Sequence, residues 1–232
     1  MRRTSRLAAV LTSVLLTPVI AQAQDASRAV AGGGISAPGW MGKIDANEAA
    51  NGMKLENSKF VTMGSGLHVT TGPAAVYWNP ANRATGNYTV KATFSEREYM
   101  SLNDHPHPYG IVIGGNDMGT DNQTYLYCAA YGNGTFIVRG FGPAPFQLNG
   151  RRGEANEAVN KAAGKGQPVT QEIAVTVSAD KVECAINGKV VGSYMKSDVV
   201  GPGKLKSTDG VYGVRFGHNT DAHIAGFTMT KN

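Results

Sequence analysis

Apolar residues occupy every second position through much of the last third of the chain. The alternation runs through Ile173, Val175 and Val177 and again through Val182, Cys184 and Ile186, and it has the period of a strand with one buried face. Asn187-Gly188 follows, a dipeptide that tolerates the positive φ angles of a tight hairpin turn, and Val190 and Val191 open the return strand. The segment therefore predicts consecutive antiparallel strands.

Two more strands close the chain. Apolar residues alternate with glycine and arginine from Val211 to Gly217, and Ile224 to Met229 alternates again. Between them, the polar pair His218-Asn219 predicts a turn. The last fifty residues thus indicate a sheet with short connections.

Shorter alternating runs predict further strands upstream, with turns at Asn79-Pro80 and Gly86-Asn87. The predicted strands are Trp40 to Ile44 at an edge, Lys54 to Phe60, Val61 to Thr70, Ala74 to Trp78, Tyr88 to Phe94, Tyr109 to Gly114, Thr124 to Tyr131 and Thr135 to Phe141. Gly142 to Thr170 is the longest irregular segment, with one helical turn predicted around Ala155 to Ala163. This pattern predicts an all-β, antiparallel two-sheet sandwich with low helix content.

One hairpin decides which side chains share a face. If Gly132 to Gly134 forms a three-residue loop, Tyr125, Tyr127 and Arg139 lie on one face. The other face, toward the core, then carries Leu126, Cys128, Phe136 and Val138. A two-residue turn would place Arg139 beside Cys128, so the three-residue loop is preferred because it keeps the charge out of the core.

The closing strands resemble a known fold family. The patterns V-x-V-x-A-D-K-V-x-x-x-I-N-G-K-V-V, G-V-Y-G-V-R-F-G-H-N and I-A-G-F-T-M resemble the end of concanavalin-A-like lectin/glucanase jelly rolls. They are most like the bacterial 3-keto-disaccharide hydrolase domain, which ends in G-x-I-G-L-Q-x-H-G and then F-R-N-I. Arg215 stands where that family has Gln, and Ala225-Gly226-Phe227 replaces Arg-Asn-Ile. The resemblance covers about Gly39 to Lys231 and is specific only over the last fifty or so residues.

This resemblance implies a jelly-roll sandwich. For the 3-keto-disaccharide family it also implies hydrolysis or elimination on an oxidised disaccharide, with His218 and Arg215 near the reacting carbon. Because fold transfers between relatives better than function, the departures at Arg215 and Ala225 weaken the activity more than the fold.

The first 23 residues have the features of a secretory signal. Three arginines precede the apolar run Leu7 to Ile20, and Ala21-Gln22-Ala23 is a small-residue cleavage site; a short anchoring helix is the alternative. The sequence therefore predicts a periplasmic or secreted protein without a transmembrane anchor. A flexible leader is expected over residues 24–38 and a single sandwich domain over residues 39–232.

Export changes the charge balance. The chain has 22 Lys and Arg against 17 Asp and Glu, a net charge of +5. Removing the three arginines of the signal lowers the net charge to about +2. Since no basic stripe with interleaved aromatic residues remains, nucleic acid is not expected as a partner.

The two cysteines fall on core-facing positions of different predicted strands. Cys128 is in step with Leu126, and Cys184 is in step with Val182 and Ile186. In an oxidising compartment they could form a disulfide. Two buried free thiols are the alternative, because sequence gives no distance between them.

Catalytic and metal signatures are weak. Glycosidases need two carboxylates about 5 to 9 Å apart, and the nearest pattern, Glu96-Arg97-Glu98, is predicted to be a solvated charge cluster. Asp104 with His105-Pro106-His107 has loose metal spacing, and the group of His218, Asp221 and His223 is predicted to form a hydrogen-bonded turn. The sequence therefore predicts no metal and no cofactor.

Rings and planar polar groups are left as the candidate chemistry. An aromatic face can cover the apolar side of a sugar while Arg and Asn satisfy its hydroxyls. The predicted ligand-binding residues, on one water-facing sheet surface, are Tyr109, Asn116, Tyr125, Tyr127, Arg139, Arg215, His218 and Asn219. Alternatively, the tyrosines simply cover the sheet beneath the long loop.

Three functions follow from these features. The favoured one is non-catalytic binding of a carbohydrate or glycoconjugate. The second is a glycoside-processing enzyme acting on a 3-keto-disaccharide. The third is an envelope structural or protein-interaction module that uses residues 142–170.

Overall fold

The structure, a computed structural model, describes residues 26–232. The predicted signal, residues 1–23, lies outside the described residues. Besides one turn of 3-10 helix, Leu55–Asn57, the described part of the chain contains sixteen strands and two short α-helices. In chain order they are β1 (Gly34–Ile35), β2 (Met41–Ile44), α1 (Ala46–Ala50), β3 (Lys59–Met63), β4 (Gly66–Thr70), β5 (Ala75–Ala84), β6 (Tyr88–Glu96), β7 (Tyr109–Asn116), β8 (Thr124–Tyr131), β9 (Thr135–Phe141), β10 (Pro145–Gln147), β11 (Glu154–Ala155), β12 (Val169–Val177), β13 (Lys181–Ile186), β14 (Lys189–Met195), α2 (Lys196–Val199), β15 (Gly210–Phe216) and β16 (Asp221–Lys231).

The strands form two sheets, as the alternating pattern predicts. The first sheet has the order β1-β3-β4-β16-β6-β12-β13-β14, and the second has the order β10-β9-β8-β7-β15-β5-β2, with β11 also pairing with β9. Among the paired strands of residues 26–232, β1 and β3 run parallel and the other pairs are antiparallel. The prediction of an antiparallel two-sheet sandwich is confirmed.

The main core lies between the two sheets. Alternate side chains of both sheets meet there, including Phe60, Tyr77, Phe94, Phe136 and Phe216, all of them buried. Each large apolar side chain that leaves water contributes about 1.5–3 kcal/mol to folding. The period-2 pattern read from the sequence is therefore what specifies this layer.

Both predicted hairpins are confirmed. Asn187 and Gly188 have φ angles of 50° and 79°, as a tight turn between β13 and β14 requires. Between β8 and β9, Tyr131 pairs with Thr135, so the loop has three residues. Its last residue, Gly134, has φ 90°. Tyr127 consequently lies opposite Arg139.

Two local predictions are wrong. Asn79-Pro80 is not a turn, because β5 continues through it and the register jumps from Trp78 opposite Gly213 to Arg83 opposite Val211. A bulge accommodates proline, which has no N–H to offer the ladder. The helical turn expected over residues 155–163 is also absent from the described chain: β11 pairs with β9, and Val159 and Ala162 are buried. Residues 142–170 therefore pack onto the domain.

The predicted flexible leader, residues 24–38, is held against the domain from residue 26 onward. The Val30 N–H donates to the Asn57 carbonyl at 3.0 Å, and Gly34–Ile35 pairs with Lys59 and Phe60 of β3. A Cβ on Gly33 would lie 2.0 Å from the Glu56 carbonyl oxygen, so this approach requires glycine. The segment is the edge strand of the first sheet.

A disulfide joins the two sheets. Cys128 of β8 and Cys184 of β13 are bonded, with their Cα atoms 6.0 Å apart. Of the two alternatives from the sequence, the disulfide is the one present in the structure. Within residues 26–232, the helices are too short to span a lipid bilayer.

Candidate functional site

The second sheet carries a hydrophobic cluster on the face turned away from the core. Strands β7 and β8 are consequently buried on both faces. We call this set the outer cluster: Val76, Trp78, Val112, Tyr125, Tyr127, Ala129, Ile137 and Val211, with Arg139, Phe141 and Arg215 and its partner Asp45 beside them. Antiparallel sheets usually present a polar outer face. The first sheet does so, with Thr89, Lys91, Ser95, Glu172 and Thr176.

Arginine and aromatic side chains form layers in the outer cluster. The ring of Phe141 stacks on Tyr125 at 4.9 Å between centroids and lies 6.2 Å from Tyr127. The Arg215 guanidinium carbon lies 5.8 Å from the Tyr127 ring centroid and 5.4 Å from that of Phe141. Arg139 approaches Phe141 at 5.3 Å. These distances are in the range of cation–π attraction.

A buried ion pair anchors the outer cluster. Arg215 donates a hydrogen bond from Nη2 to the carboxylate of Asp45, which lies between β2 and α1. The side chains of Arg215 and Asp45 are 7% and 21% exposed. Burial alone would lower the pKa of Arg215, yet the Asp45 carboxylate and, to a smaller extent, Tyr125 and Tyr127 raise it above its ordinary value. The guanidinium therefore stays charged. Its Nη1 is buried and has no hydrogen-bond partner among the residues that the structure describes.

Tyr125 and Tyr127 point away from the core, as predicted, but they do not face water. They are 1% and 4% exposed, so the expectation of open tyrosine rings is wrong. The reason is coverage by Phe141 and Arg215, which lie over the rings. Water reaches the half-buried rim of the cluster, at Arg139, Phe141 and Tyr131.

The placement of Tyr109 on this face is wrong. Tyr109 lies in the main core, where its ring is 5.5 Å from Phe94 and 6.1 Å from Phe216. It is in step with Ile111 and Ile113, which also face the core. The alternation along β7 therefore assigns Tyr109 to the interior.

The remaining predicted ligand residues do not share this surface. Asn116 pairs at one end of β7, whereas His218 and Asn219 follow β15 at the opposite end, because Phe216 lies opposite Tyr109. The Asn116 amide donates to the Gly114 and Asp209 carbonyls. The Asn219 side-chain amide accepts a hydrogen bond from the Arg28 N–H and donates one to the Ala26 carbonyl. Both amides support the fold, so the prediction of one continuous eight-residue site is wrong.

The structure brings together three histidines from two segments that are distant in sequence. His105, His107 and His218 each place one ring nitrogen within 4.8 Å of the others. Burial, and then the neighbouring rings of His218 and His105, lower the pKa of His107 to about 3, so this imidazole is neutral. Tyr109 at the start of β7 lies opposite Phe216 at the end of β15. This pairing brings His107, just before β7, next to His218, just after β15, and a prediction of it from the sequence would have revealed the cluster.

Asp221 and His223, from the second predicted histidine group, lie on β16 and contact side chains of the neighbouring strand β4. Asp221 accepts hydrogen bonds from Thr70 Oγ1 at 2.5 Å and from His68 Nε2 at 3.0 Å. His68 stacks on His223 at 4.4 Å. The predicted hydrogen-bonding role of Asp221 is confirmed, but its partners come from β4 and not from His218.

Glu96 is not part of a solvated charge cluster. It is 5% exposed at the end of β6, whereas Arg97 and Glu98 are exposed. Its Oε1 accepts a hydrogen bond from the Met100 N–H at 3.1 Å, and its Oε2 accepts none from the described part of the chain. Burial raises the pKa of Glu96 to about 7, with the Met100 hydrogen bond opposing and the Asp221 charge adding to the shift.

Replacing Glu96 with Gln is expected to stabilise the protein at alkaline pH. The folded pKa of about 7 exceeds the ordinary value of 4.5, so the contribution of Glu96 is fully present below pH 4.5 and is lost as the pH rises through 7. The free energy of unfolding of Glu96→Gln minus that of the wild type should increase by about 2 kcal/mol between pH 5 and pH 8. Urea unfolding at both pH values measures this. Glu98→Gln, the exposed control, should show the same change in unfolding free energy with pH as the wild type. The same change in Glu96→Gln would refute the raised pKa of Glu96.

Comparisons with known proteins identify the fold. No family model and no curated protein sequence matches the chain. The carbohydrate-binding module CBM66 from Bacillus subtilis superposes with a TM-score of 0.55 at 7% identity, covering 86% of this chain and 99% of that chain. A protein of unknown function with a galectin-like fold, also from Bacillus subtilis, has a TM-score of 0.51 at 14% identity, covering 83% and 89%. The described residues thus share the two-sheet jelly-roll fold of these structures.

Proposed function

We propose that this jelly roll is an exported protein that binds a carbohydrate or glycoconjugate on the outer cluster, without catalysis. The observation that carries the proposal is the contrast between the two outer faces. The first sheet is polar on its outer face, whereas the second has a hydrophobic cluster there, whose half-buried rim of Tyr131, Arg139 and Phe141 reaches water. A partly exposed aromatic and arginine rim on the outer face of a sandwich indicates a binding surface.

The rim of the cluster has the chemistry that sugars require. Phe141 and Tyr131 are half-buried rings at opposite ends of the β8–β9 pair, and each can cover the apolar face of one pyranose unit. Arg139 is half-buried beside Phe141 and supplies several hydrogen-bond donors for hydroxyl oxygens. The buried Arg215 and Asp45 hold the layer beneath them in place. The ligand-contacting set is therefore Tyr131, Arg139 and Phe141, with Tyr125, Tyr127 and Arg215 as support.

Two further observations support the proposal. One structural neighbour is a carbohydrate-binding module that aligns over nearly its whole length. At 7% identity this similarity shows only the fold, so the argument for sugar binding rests on the outer cluster. The disulfide supports export, because such bonds persist in oxidising compartments.

The placement of the carboxylates supports a non-catalytic role. Hydrolysis of a glycoside needs two carboxylates across the scissile bond. The outer cluster as defined contains one carboxylate, Asp45, which is paired with Arg215. The alternative activity on a 3-keto-disaccharide would use Arg215 and His218 together, but Arg215 belongs to the outer cluster and His218 contacts His107 and Ser27.

Glycan binding should depend on the rim. We expect the mature chain to bind at least one glycan class on an array, and Arg139→Ala and Phe141→Ala each to weaken the calorimetric affinity about tenfold or more. Tyr127 and Arg215 are poor choices for this test because they are buried.

The matched control for this experiment is Arg97→Ala, which removes an exposed arginine at the end of β6 in the first sheet. It should bind like the wild type. Affinity that is unchanged in both rim variants would place the ligand elsewhere. Turnover of a 3-keto-disaccharide would favour the enzymatic alternative instead.

A further inference from the structure

Three histidines converge at one end of the sandwich, apart from the outer cluster. His107 and His218 meet edge to face with ring centroids 3.9 Å apart, and His105 lies 4.3 Å from His107. One nitrogen of each ring lies within 4.8 Å of the others. Neutral imidazole nitrogens at such separations can share one transition-metal ion with small ring rotations.

The backbone holds these rings close together. The Gly217 N–H donates to the Pro108 carbonyl at 2.7 Å, which ties the residue before His218 to the residue after His107. A Cβ on Gly217 would lie 2.8 Å from the His107 Cβ and 2.9 Å from the Pro108 Cδ, so only glycine permits this approach. Pro106 and Pro108 restrict the loop on the other side.

Hydrogen bonds orient two of the rings as metal ligands require. His105 Nδ1 lies 2.5 Å from the Asp104 carboxylate, and donation there leaves the lone pair on Nε2. Ser27 donates to Glu48 at 2.6 Å, so its oxygen accepts from His218 Nδ1 at 3.1 Å. His218 then also carries its lone pair on Nε2. Metal-binding histidines typically have such partners on the other ring nitrogen.

The third ring has an unsatisfied polar atom. His107 Nε2 is buried and makes no hydrogen bond to any of residues 26–232. Buried polar atoms without a partner cost free energy, so one that persists in a native fold often marks a binding position for an ion or a water molecule. A metal ion bound by this nitrogen would satisfy it.

We propose that His105, His107 and His218 form a binding site for a divalent transition-metal ion such as Zn²⁺. Asp104 and the Ser27–Glu48 pair orient two of the three rings. Three imidazoles form a neutral ligand set that suits zinc, copper or nickel, and a three-histidine zinc site leaves a further position for water or another oxygen ligand. The side chain of His105 is 36% exposed, which gives that position access to solvent.

The site does not depend on the proposed carbohydrate role. Its residues precede β7 and follow β15, whereas the ligand rim lies on β8 and β9. It revises the sequence expectation that the spacing of His105 and His107 is too loose for metal, because His218 supplies the third ligand.

The test is Zn²⁺ titration of the chelator-treated mature chain, read by calorimetry and by metal analysis after dialysis. We expect one equivalent of Zn²⁺ per chain and a rise in melting temperature with Zn²⁺ concentration. His105→Ala and His107→Ala should each lower the affinity about 100-fold or more, and Asp104→Asn about tenfold. Substitution with Co²⁺ should give the visible absorption of a nitrogen-ligated ion.

Matched controls are His68→Ala and His223→Ala, which remove the stacked pair beside Asp221. Both should bind Zn²⁺ like the wild type. No binding by the wild type, equal binding in His105→Ala, or a loss confined to His68→Ala would each overturn the proposal. If His107→Ala fails to fold by circular dichroism, the partly exposed His105→Ala and His105→Gln decide the result.

Discussion

Loss of the Cys128–Cys184 disulfide is expected to lower the free energy of unfolding by about 4 kcal/mol. The bond closes a loop across 56 positions of sequence, and cross-linking such a loop restricts the unfolded chain by about that amount. It also joins β8 of the second sheet to β13 of the first, through the main core. Denaturant unfolding of the wild type with and without reductant, and of Cys128→Ala/Cys184→Ala, measures the loss.

The double variant also provides the control for the reductant. Reductant should move the unfolding midpoint of the wild type and leave that of Cys128→Ala/Cys184→Ala where it is. Alkylation of both cysteines in the absence of reductant, together with a wild-type midpoint that reductant does not change, would contradict the disulfide.

Replacement of Asp45 by Asn is expected to lower the free energy of unfolding by about 3 kcal/mol. The substitution leaves the Arg215 guanidinium buried without a counter-charge, which typically costs about 3–5 kcal/mol. The 21% exposure of the Asp45 side chain places the effect at the lower end of this range. Asp45 makes no side-chain cap on α1, so loss of capping does not contribute. Equilibrium unfolding in urea gives the value.

Two further variants make the Asp45 result specific. Asp45→Asn combined with Arg215→Met should recover most of the loss, because no buried charge is left unpaired. Asp121→Asn removes the exposed partner of Lys43 and should leave the free energy of unfolding unchanged within measurement error. Equal losses in Asp45→Asn and Asp121→Asn would show that Arg215 does not depend on its partner.

Local pattern was enough to predict the fold. The alternation of apolar residues gave the antiparallel strands, and Asn187-Gly188 gave a hairpin, because those signals depend on neighbours in sequence. The same logic placed Tyr127 opposite Arg139. It failed at Pro80, where a bulge keeps the strand intact, and at residues 30–36, whose glycine-rich composition conceals an edge strand.

The candidate site could be predicted only in part, because burial depends on contacts distant in sequence. Tyr125 and Tyr127 face outward as expected, but Phe141 and Arg215 cover them. The partner of Arg215 is Asp45, 170 positions away, and His218 meets His107 only once β7 and β15 pair. Tyr109 was misassigned although the phase of Ile111 and Ile113 already placed it in the core.

The claim that sugar binds the outer cluster is tested most directly by hydrogen–deuterium exchange of the mature protein with and without a saturating glycan. Binding at the rim should slow exchange in Thr124–Tyr131 and Thr135–Phe141 and leave β13 and β14 of the first sheet unchanged. Slowed exchange confined to the first sheet, or to residues 103–107 and 217–219, with none in β8 and β9, would contradict the account.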